Sequence, residues 1–496
     1  FELRNLSAKF MSYKNVQSLD QIVSLCKARG FIFQSSDIYG GLSAVYDYGP
    51  LGVELKRNIM NAWWRAMTQE HSNIVGVDAA IFMHPRVWEA SGHVEGFNDP
   101  MIDDKQSKKR YRADMLIEQH ILKLQEKGKG DPAKEAHAAE VQRLLDTAGT
   151  RKGMCEDLYE IIMEEEIHAP ESGAFDWTEV RQFNLMFKTH YGATSQSDED
   201  AIYLRPETAQ GIFVNYKNVL DSARVQVPFG IAQIGKAFRN EVVARQFVFR
   251  MREFEQMEMQ YFVEPGSDEA HYEQWLEKRM AWHRSIGIRE EHLRVAPHPE
   301  DKLAHYARAA ADIQYKFPIG WQEVEGVHNR TDFDLSRHQE YSGKKLEYFD
   351  QKAQKRYVPY VIETSVGLDR TTLMVLSDAY REEDIDGEQR TVLNIHPMLA
   401  PMKVGIFPLV KKPELQELAQ KIETDLRRSH RVMYDEAGSI GKRYRRQDEA
   451  GTPFCITVDF DGLDDQTVTI RYRDDMRQER VSVDQIAGLI DSKMSF

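Results

Sequence analysis

Two segments near the start of the chain carry apolar residues at helical spacing. In the first, residues 16–29, Ser18 and Gln21 match a capping box and Gly30 stands at the C-cap position. The second helix is predicted to begin at Pro50, and an apolar residue recurs at every fourth position after it. So wide an apolar stripe predicts packing into a core, and a subunit interface is the alternative.

The pattern changes three times through the middle of the chain. Residues 105–170 are rich in Lys, Glu, Ala and Gln at helical apolar spacing, which predicts an inserted helical subdomain. Residues 201–264 alternate apolar and polar positions and therefore predict strands. Residues 265–315 return to a charged, helical periodicity, and a further strand is predicted at 357–364.

The C-terminal part of the chain has a different pattern of predicted strands and helices. Pro397, Pro401 and Pro408 punctuate a predicted linker. A small separate α/β domain over 400–496 is indicated by a predicted strand, an amphipathic helix and two more strands, at 404–407, 415–426, 454–458 and 468–472. At the other end, residues 1–15 are expected to form a flexible leader, with Met11 as a candidate natural start.

Composition narrows the class of protein. A length of 496 residues suggests about three domains. The net charge of −14 excludes a histone-like protein, so any nucleic acid must be met by local basic patches. No apolar run reaches the roughly 18 residues of a membrane span. The cysteines, at 26, 155 and 455, lie far apart, which argues against a disulfide framework and favours the cytoplasm.

Several common catalytic and nucleotide-binding motifs are absent from the sequence. It contains no Walker-type Gly-x-x-x-x-Gly-Lys-Ser/Thr and no Gly-x-Gly-x-x-Gly. Gly-x-Ser-x-Gly and His-Glu-x-x-His are also missing. A nucleotide site, if there is one, must therefore be built from other residues.

Arginines and glutamates alternate within two predicted strands. The first block is Phe-Arg-Asn-Glu at 238–241, and the second, at 250–258, begins with Arg250 and Arg252. Buried charges are costly unless they are paired or bind a ligand. One interpretation is a salt-bridge ladder on a solvated face. The other is a site for a ligand with phosphates and an amine, held by arginine forks, carboxylates and an aromatic ring. The pattern alone leaves both open.

A second block, at 362–371, ends a predicted strand at Gly367. Glycine permits close approach of the backbone to a ligand. Arg370 then opens a helix, whose N-terminus already favours anions. The alternative is an ordinary helix start with one surface arginine.

These blocks resemble the signature motifs of class II aminoacyl-tRNA synthetases. The arginine–glutamate block resembles the second motif, and Gly-Leu-Asp-Arg at 367–370 resembles the third. The resemblance narrows to the homodimeric glycyl-tRNA synthetases through four further blocks in family order: Ser-Gly-His at 91–93, Leu-Arg-Pro-Glu-Thr-Ala-Gln-Gly at 204–211, the block that starts Gly-Trp-Gln-Glu at 320 and ends at His338, and Glu-Thr-Ser at 363–365. The first motif departs from the family, because the strand predicted at 75–82 lacks the usual proline.

The resemblance, which runs from about residue 15 to the C-terminus, implies an α+β fold. Its catalytic domain would hold a class II antiparallel sheet flanked by helices, over 16–104 and 171–396. The segment 105–170 would be a helical insertion, and 400–496 an α/β anticodon-binding domain. The implied reaction uses ATP and Mg²⁺ to join glycine to tRNA(Gly) through glycyl-adenylate, in a homodimer without membrane attachment.

The resemblance also implies roles for individual residues. Arg239 and Arg370 would be catalytic. ATP would be bound by Arg239, Asn240, Glu241, Phe249, Arg250, Arg252, Phe254, Glu323, Val324, Gly367 and Arg370. Glycine would be bound by Arg112, Glu207, Phe254, Glu258, Glu363 and Ser365. Glu323 is the implied magnesium ligand, because hard oxygen donors suit that ion.

The C-terminal basic stretches would bind tRNA. Cations and aromatics alternate at 442–446 and 471–473, and unstacked bases favour such surfaces. The residues implied are Arg443, Arg445, Arg446, Arg471 and Arg473. No tight spacing links the histidines, so structural roles and no zinc site are expected for His93, His305, His328 and His338.

Two rival functions remain open at this point. One is a class II synthetase for another amino acid, such as threonine or proline, against which Glu363-Thr364-Ser365 and the block at 204–211 argue. The other is a non-catalytic tRNA-binding relative. Such a protein is expected to lose its phosphate-gripping arginines, yet Arg239 and Arg370 are present.

Overall fold

The structure, a computed structural model, describes residues 13–190, 201–242, 246–299, 303–304, 307–385 and 387–494. The chain divides into two compact units. The first comprises 1–80, 207–236 and 246–496, and the second comprises 81–206 and 237–245. Most of the expected leader, and also His305, lie outside the described residues, whereas Tyr13–Asn15 form a strand. No helix within the described ranges is both long enough and apolar enough to cross a membrane.

A seven-stranded sheet forms the centre of the first unit. In spatial order its strands are Leu293–Pro297, Ala309–Phe317, Gly320–Thr331, Tyr360–Gly367, Glu253–Val263, Phe229–Phe238 and Ile74–Gly76. The first five pair antiparallel, and the last runs parallel to its neighbour. The long antiparallel strands place polar side chains in register on one face of the sheet, as described below.

Helices bury their apolar faces around this sheet. The six in this part of the unit are Leu19–Arg29, Pro50–Thr68, Ala209–Ala223, Asp268–Ser285, Phe333–Ser342 and Leu368–Ala379. The first is capped as predicted, because the Ser18 N–H donates to Gln21 Oε1 at 3.2 Å and Gly30 adopts φ 74°. In the second, Leu55, Ile59 and Trp63 are fully buried in the core of the single chain.

Smaller elements complete this part of the unit. A three-stranded sheet joins Tyr13–Asn15 to Tyr380–Ile385 and Glu388–Leu393. Two-stranded sheets pair Ile32–Gln34 with Tyr46–Tyr48 and Tyr348–Asp350 with Lys355–Tyr357. Short 3₁₀ turns occupy Asp37–Tyr39, Phe247–Phe249 and Glu290–His292.

The C-terminal α/β rhythm is confirmed. A five-stranded sheet runs in the order Val432–Tyr434, Val404–Pro408, Phe454–Val458, Thr467–Tyr472 and Gln478–Ser482. The accompanying helices are Pro413–Leu426, Ile440–Ala450, Asp461–Asp465 and Ile486–Ser492, with a 3₁₀ turn at Val483–Gln485.

The segment that was predicted as a linker from its prolines is packed against the main core. Leu399 and Ala400 are fully buried in the main core. The Asn58 side-chain amide donates to both of their carbonyls, at 3.1 and 3.0 Å. Lys403 Nζ donates to the Ala400 carbonyl at 2.9 Å as well. The segment is therefore a packed connection.

The second unit contains the predicted helical insertion. Its helices are Arg86–Ala90, His93–Gly96, Ala113–Gly128, Pro132–Asp146 and Met154–Glu164. The strand Asn98–Asp103 lies between Arg110–Arg112 and Arg181–Asn184, and Lys188–His190 pairs with Ala201–Tyr203. The last three of these helices share an apolar core that includes Ile117, Leu158 and Ile161.

Two further predictions of secondary structure are wrong in part. The segment 201–264 contains the helix Ala209–Ala223 between its strands, and the segment 265–315 contains the strands Leu293–Pro297 and Ala309–Phe317 besides its helix. In each case the opposite periodicity lies within the segment, because Phe213 and Tyr216 are buried at helical spacing and Ile313 and Tyr315 at strand spacing.

Candidate functional site

A polar cluster lies across three neighbouring strands of the central sheet. Glu258 pairs with Ser365, which pairs in turn with Gly326. One step along the same face, Gln260 pairs with Glu363, which pairs with His328. Side chains alternate along a strand, so these two rows face the same side of the sheet. Three predicted glycine-binding residues, Glu258, Glu363 and Ser365, are thus brought together.

Glu363 is held as a carboxylate. It is buried, which by itself would raise its pKa, but the charge of Arg330 and the hydrogen bonds from His328 and Gln260 bring the pKa below the usual range. Arg330 Nη1 lies 3.1 Å from Glu363 Oε2, Gln260 Nε2 donates to the same oxygen at 2.7 Å, and His328 Nδ1 lies 2.8 Å from Oε1. Burial would lower the pKa of His328, but Glu363 raises it above its ordinary value.

Glu258 has the opposite character. Burial, followed by the nearby charges of Glu363 and Glu207, raises its pKa well above the ordinary value. Thr208 Oγ1 donates to one oxygen of Glu258, and Gln260 Nε2 donates to the other at 3.2 Å. The cluster therefore places a carboxyl group with a raised pKa beside one with a lowered pKa.

Glu207 is oriented by a second set of side chains. Gln210 Nε2 donates to Glu207 Oε1 and to Asp334 Oδ1, both at 3.0 Å. His338 Nε2 lies 2.7 Å from Gln210 Oε1, and Arg330 binds Asp334 with two hydrogen bonds of 2.7 and 2.9 Å. The side chains of Gln210, Arg330, Asp334 and His338 are all buried, whereas Glu207 is half-buried. The buried side chains therefore fix the position of the Glu207 carboxylate.

The cluster suits a small cationic group. Negative charge is concentrated on Glu363 and Glu207, and the described part of the cluster offers neither Cys nor a Ser–His pair as a nucleophile. Space is short as well, because a Cβ on Gly326 would come within 2.6 Å of the His328 ring. Ser365, opposite Gly326, is half-buried and accepts a long hydrogen bond of 3.4 Å from Gln256.

Arg370, a predicted phosphate-binding residue of the first unit, is held by several contacts. Its Nη1 donates to the backbone carbonyl and to the carboxylate of Glu323, both at 3.2 Å. Its Nε donates to the Phe249 carbonyl at 3.2 Å, and its guanidinium carbon lies 4.5 Å from the centroid of the Phe249 ring. The structure thus joins Phe249, Glu323 and Arg370, three predicted ATP-binding residues.

The other predicted ATP-binding residues of this unit surround the same strands. Phe254 is partly buried against the main core, and Arg252 Nη1 donates to the Ser43 carbonyl at 3.2 Å. Arg250 is half-buried and Val324 is buried. Gly367 is the N-cap of the helix that carries Arg370.

Four predicted residues lie in the second unit. Arg239 Nε donates to the Pro206 carbonyl at 3.1 Å, and its guanidinium carbon lies 5.3 Å from the centroid of the Phe97 ring. The backbone N–H groups of Asn240 and Glu241 donate to the carbonyls of Leu185 and Arg239, each at 2.7 Å.

Arg112 lies in the second unit too. It forms ion pairs with Asp114 at 2.6 Å and Asp99 at 3.1 Å. Its hydrogen bonds to Asp114 raise its pKa against the effect of burial, and the charges of Asp114, Asp99 and Glu241 add to that rise. Arg112 is therefore a fixed cation within reach of the charge of Glu241.

Glu323 fits a magnesium ion only as one donor among several. Its carboxylate is about half exposed. Burial raises the pKa of Asp312 on the neighbouring strand, and the charge of Glu323 raises it further. Across the described residues, no group of three or more His, Cys, Asp or Glu side chains could hold a metal ion. Mg²⁺ commonly binds one or two carboxylates and takes its remaining oxygens from phosphates and water, and Glu323 suits that arrangement.

The C-terminal arginines fall into two groups. Arg443, Arg471 and Arg473 are buried, and their donors serve the protein: Arg443 binds the carbonyls of Pro408 and Gly438, Arg471 binds Asp448, and Arg473 binds the Gly451 carbonyl and Asn394. Such contacts correct the expectation that these three present their guanidinium groups to tRNA, because the alternating pattern did not reveal which face is buried.

The two remaining arginines of this set lie nearer the surface. Arg445 is exposed and donates to the Gln389 carbonyl at 3.0 Å, besides its ion pair with Glu388. Arg446 is half-buried and donates from Nε to Asp435 at 3.0 Å.

Sequence reasoning missed the residues that support the carboxylates. Gln260, Arg330 and Asp334 received no role, although Arg330 and Asp334 belong to the block at 320–338. Arg330 and Asp334 stand four residues apart, which was the available signal for their ion pair. Their connection to Glu363 depends on strand register, which the sequence does not display.

Comparison with protein families covers most of the chain. The model described as "tRNA synthetase class II core domain (G, H, P, S and T)" matches residues 187–379. "Glycyl-tRNA synthetase insertion domain 1" matches 99–185, a wider segment than the predicted insertion. "Anticodon binding domain" matches 403–493. The α+β class and the three kinds of domain are thereby confirmed.

Full-length relatives are also similar. A glycine--tRNA ligase of Chlorobaculum tepidum is 57% identical over 477 residues, which cover 96% of this chain and 100% of the relative. Those of Treponema denticola and Geobacillus thermodenitrificans are each 50% identical, over 96% and 97% of this chain and 97% and 98% of the relatives.

Proposed function

We propose that this chain, which belongs to the family of glycine--tRNA ligases, attaches glycine to tRNA(Gly) in two steps. In the first, a glycine carboxylate oxygen attacks the α-phosphorus of ATP, so that glycyl-adenylate forms and pyrophosphate leaves. In the second, a ribose hydroxyl at the tRNA 3′ end attacks the glycyl carbonyl and AMP leaves. A protein nucleophile is not needed for either step.

The observation that carries this proposal is that Glu258, Glu363 and Ser365 lie together on one face of two neighbouring strands. An amino acid is recognised through its ammonium group, and Glu363 offers a buried, ionised carboxylate beside Glu207. The raised pKa of Glu258 favours its protonated form, which limits the repulsion between the carboxyl groups. The half-buried Ser365 and the crowded Gly326 would leave little room for a side chain on the substrate. Glycine fits these requirements better than threonine or proline.

The phosphate and adenine contacts follow the family resemblance. Arg239 would grip the α-phosphate, Glu241 would accept the adenine amino group, and Phe254 would stack on the ring. Arg370 would meet the other face of adenine or the outer phosphate, and Arg250 or Arg252 would reach the outer phosphates. Fixed cations stabilise the charge on the reacting phosphoryl group without reorganisation, which is the larger part of such catalysis. Arg370 is already held by Phe249 and Glu323, which supports this role.

Glu323 would hold Mg²⁺, with ATP phosphates and water as the other ligands. The ion would neutralise phosphate charge when bound. Arg112 would act near the substrate as a fixed cation, in keeping with its ion pairs to Asp99 and Asp114.

Pyrophosphate exchange with a panel of amino acids tests the function. Glycine should drive exchange between ATP and labelled pyrophosphate, whereas alanine, serine, threonine and proline should drive little. Exchange with threonine or proline would support the first rival, and no exchange with any amino acid would support a non-catalytic relative.

Ser365→Gly should weaken the rejection of alanine. Removing the side chain opens space beside the substrate α-carbon, and one methyl group in a pocket is worth about 1–3 kcal/mol of discrimination. The ratio of alanine-dependent to glycine-dependent exchange should therefore rise, by about tenfold, with a smaller rise in Ser365→Ala, which keeps the Cβ. An unchanged ratio in both variants would show that Ser365 does not border the α-carbon.

The double variant Arg445→Ala/Arg446→Ala should impair tRNA charging but not exchange. These two arginines stand on the helix Ile440–Ala450, where Lys442 is exposed as well. Each lost phosphate contact should reduce the log–log salt slope of tRNA binding by about 0.7–0.9. Arg427→Ala/Arg428→Ala, which alters two exposed arginines elsewhere in this domain, is the control. Equal salt slopes in both double variants would contradict the assignment.

The homodimer of the family is proposed on the strength of one exposed apolar turn. Ile38 and Tyr39 are 88% and 87% exposed in the turn Asp37–Tyr39, and Leu42 nearby is 53% exposed. A second copy would cover this surface. Sedimentation of the full chain at twice the monomer mass would support the dimer, and a monomer at micromolar concentration would oppose it.

A further inference from the structure

We infer that Lys56 and Asp369 are positioning residues for the ATP site, so this inference rests on the proposed function. Asp369 stands directly before Arg370, and Glu255 stands directly after Phe254. The two acidic residues meet at a buried lysine on the helix Pro50–Thr68.

The cluster begins where the ladder of the central sheet ends. Gln256 pairs with Gly367, and beyond Gly367 the chain turns into the helix Leu368–Ala379. The backbone N–H of Glu255 therefore has no strand residue opposite it in that pairing. Asp369 Oδ2 takes that place and accepts the N–H at 2.8 Å. One side chain thus fixes the start of the Phe254 strand against the start of the Arg370 helix.

Lys56 holds both acidic groups. Its Nζ lies 3.1 Å from Asp369 Oδ1 and forms an ion pair with Glu255. Tyr48 completes the cluster, because its hydroxyl donates to Asp369 Oδ1 at 2.6 Å and its ring centroid lies 4.2 Å from Nζ. The side chains of Lys56 and Asp369 are only 11% and 4% exposed, so hydration contributes little to the stability of their charges.

Because Lys56 is buried, it determines how the segments that carry Asp369 and Glu255 are placed. Without it, Asp369 and Glu255 would be two poorly hydrated carboxylates that have lost the ion pairs seen among the described residues, and breaking a buried pair in this way is strongly unfavourable. The segments that carry the acids would separate. Phe254 and Arg370, which would sandwich or grip ATP, would then lose their mutual placement, whereas Glu363 and Ser365 lie further along the strand.

Lys56→Met should raise the KM for ATP by at least about tenfold while the KM for glycine changes by less than about twofold. Lys56→Arg should retain most of the ATP affinity, because it restores the cation. Lys56→Met/Glu255→Gln should recover part of it, because only one carboxylate remains. Arg57→Met, the exposed neighbour on the same helix, is the control.

The measurement is glycine-dependent pyrophosphate exchange on the full chain. Each variant is compared under conditions in which thermal unfolding shows it to be fully folded, because a partly unfolded enzyme has a raised apparent KM for both substrates. Equal increases in both KM values, or no recovery in Lys56→Met/Glu255→Gln, would overturn the positioning role. Absence of exchange in the unaltered chain would instead overturn the proposed function.

Discussion

Arg239→Ala is expected to abolish glycine-dependent pyrophosphate exchange. A preorganised cation at the reacting phosphate is worth about 3–4 kcal/mol, so its loss should cost a hundredfold or more in rate. The side chain is already oriented in the structure, by the Pro206 carbonyl and the Phe97 ring, which is the arrangement expected of a residue that binds without reorganising.

The fold should survive this change. Arg239 is only half-buried, and its hydrogen bond to a carbonyl is a modest term in stability. Arg181→Ala, which alters an exposed arginine in the same unit, serves as the control and should exchange normally. Thermal unfolding would be compared for both variants. Near-normal exchange by a folded Arg239→Ala protein would refute its catalytic assignment.

The sequence predicted the elements whose periodicity is undisturbed. The helix Pro50–Thr68 and the strand Phe454–Val458 are clear examples, because each has one apolar pattern bounded by turn residues. The helix Ala209–Ala223 was missed, because a helix flanked closely by strands was interpreted together with them. Local pattern is therefore informative only when its window matches the element.

The candidate site was predictable in its membership but not in its electrostatics. Glu258, Glu363 and Ser365 were named together, and register across the strands Glu253–Val263 and Tyr360–Gly367 brings them together. That the pKa of Glu363 is lowered depends on Arg330, which reaches Glu363 from another strand, and that the pKa of Glu258 is raised depends on burial and on the charges of Glu363 and Glu207. Pairings of this kind are set by tertiary structure.

The C-terminal arginines show the same limit from the other side. Arg471 and Arg445 belong to similar basic stretches, yet one is buried on Asp448 and the other is exposed. Arg445 is exposed because of its position on the helix Ile440–Ala450, and Arg471 is buried because of its position in the strand Thr467–Tyr472. Composition could predict a basic domain surface, but only packing separates structural arginines from those available to a ligand.

Glu363→Gln and Glu258→Gln should have very different effects, although they are the same chemical change on neighbouring strands. Glu363 is the ionised partner of Arg330, so the amide removes the charge that would bind ammonium and leaves a buried cation under-compensated. The KM for glycine should rise on the order of a hundredfold. The pKa of Glu258 is raised, which favours its protonated form, so its amide preserves charge and shape, and the KM should change by less than about threefold.

Stability against pH provides the second arm of this test. The pKa of Glu258 is raised in the folded chain, so folding retains a proton there that the unfolded chain releases above about pH 4.3. This contribution to the free energy of unfolding is present below that pH and is lost as the pH rises through the folded pKa. Glu258→Gln does not titrate, so it should lose less stability than the unaltered chain as the pH rises.

Glu363 has a lowered folded pKa, so its contribution is lost only as the pH falls, and Glu363→Gln should show its deficit at neutral pH. The measurements are glycine-dependent exchange and urea unfolding across pH. Two outcomes would contradict this assignment of a charged role to Glu363 and an uncharged role to Glu258. One is an equal change in the KM for glycine in the two variants. The other is a loss of stability with rising pH that is steeper in Glu258→Gln than in the unaltered chain.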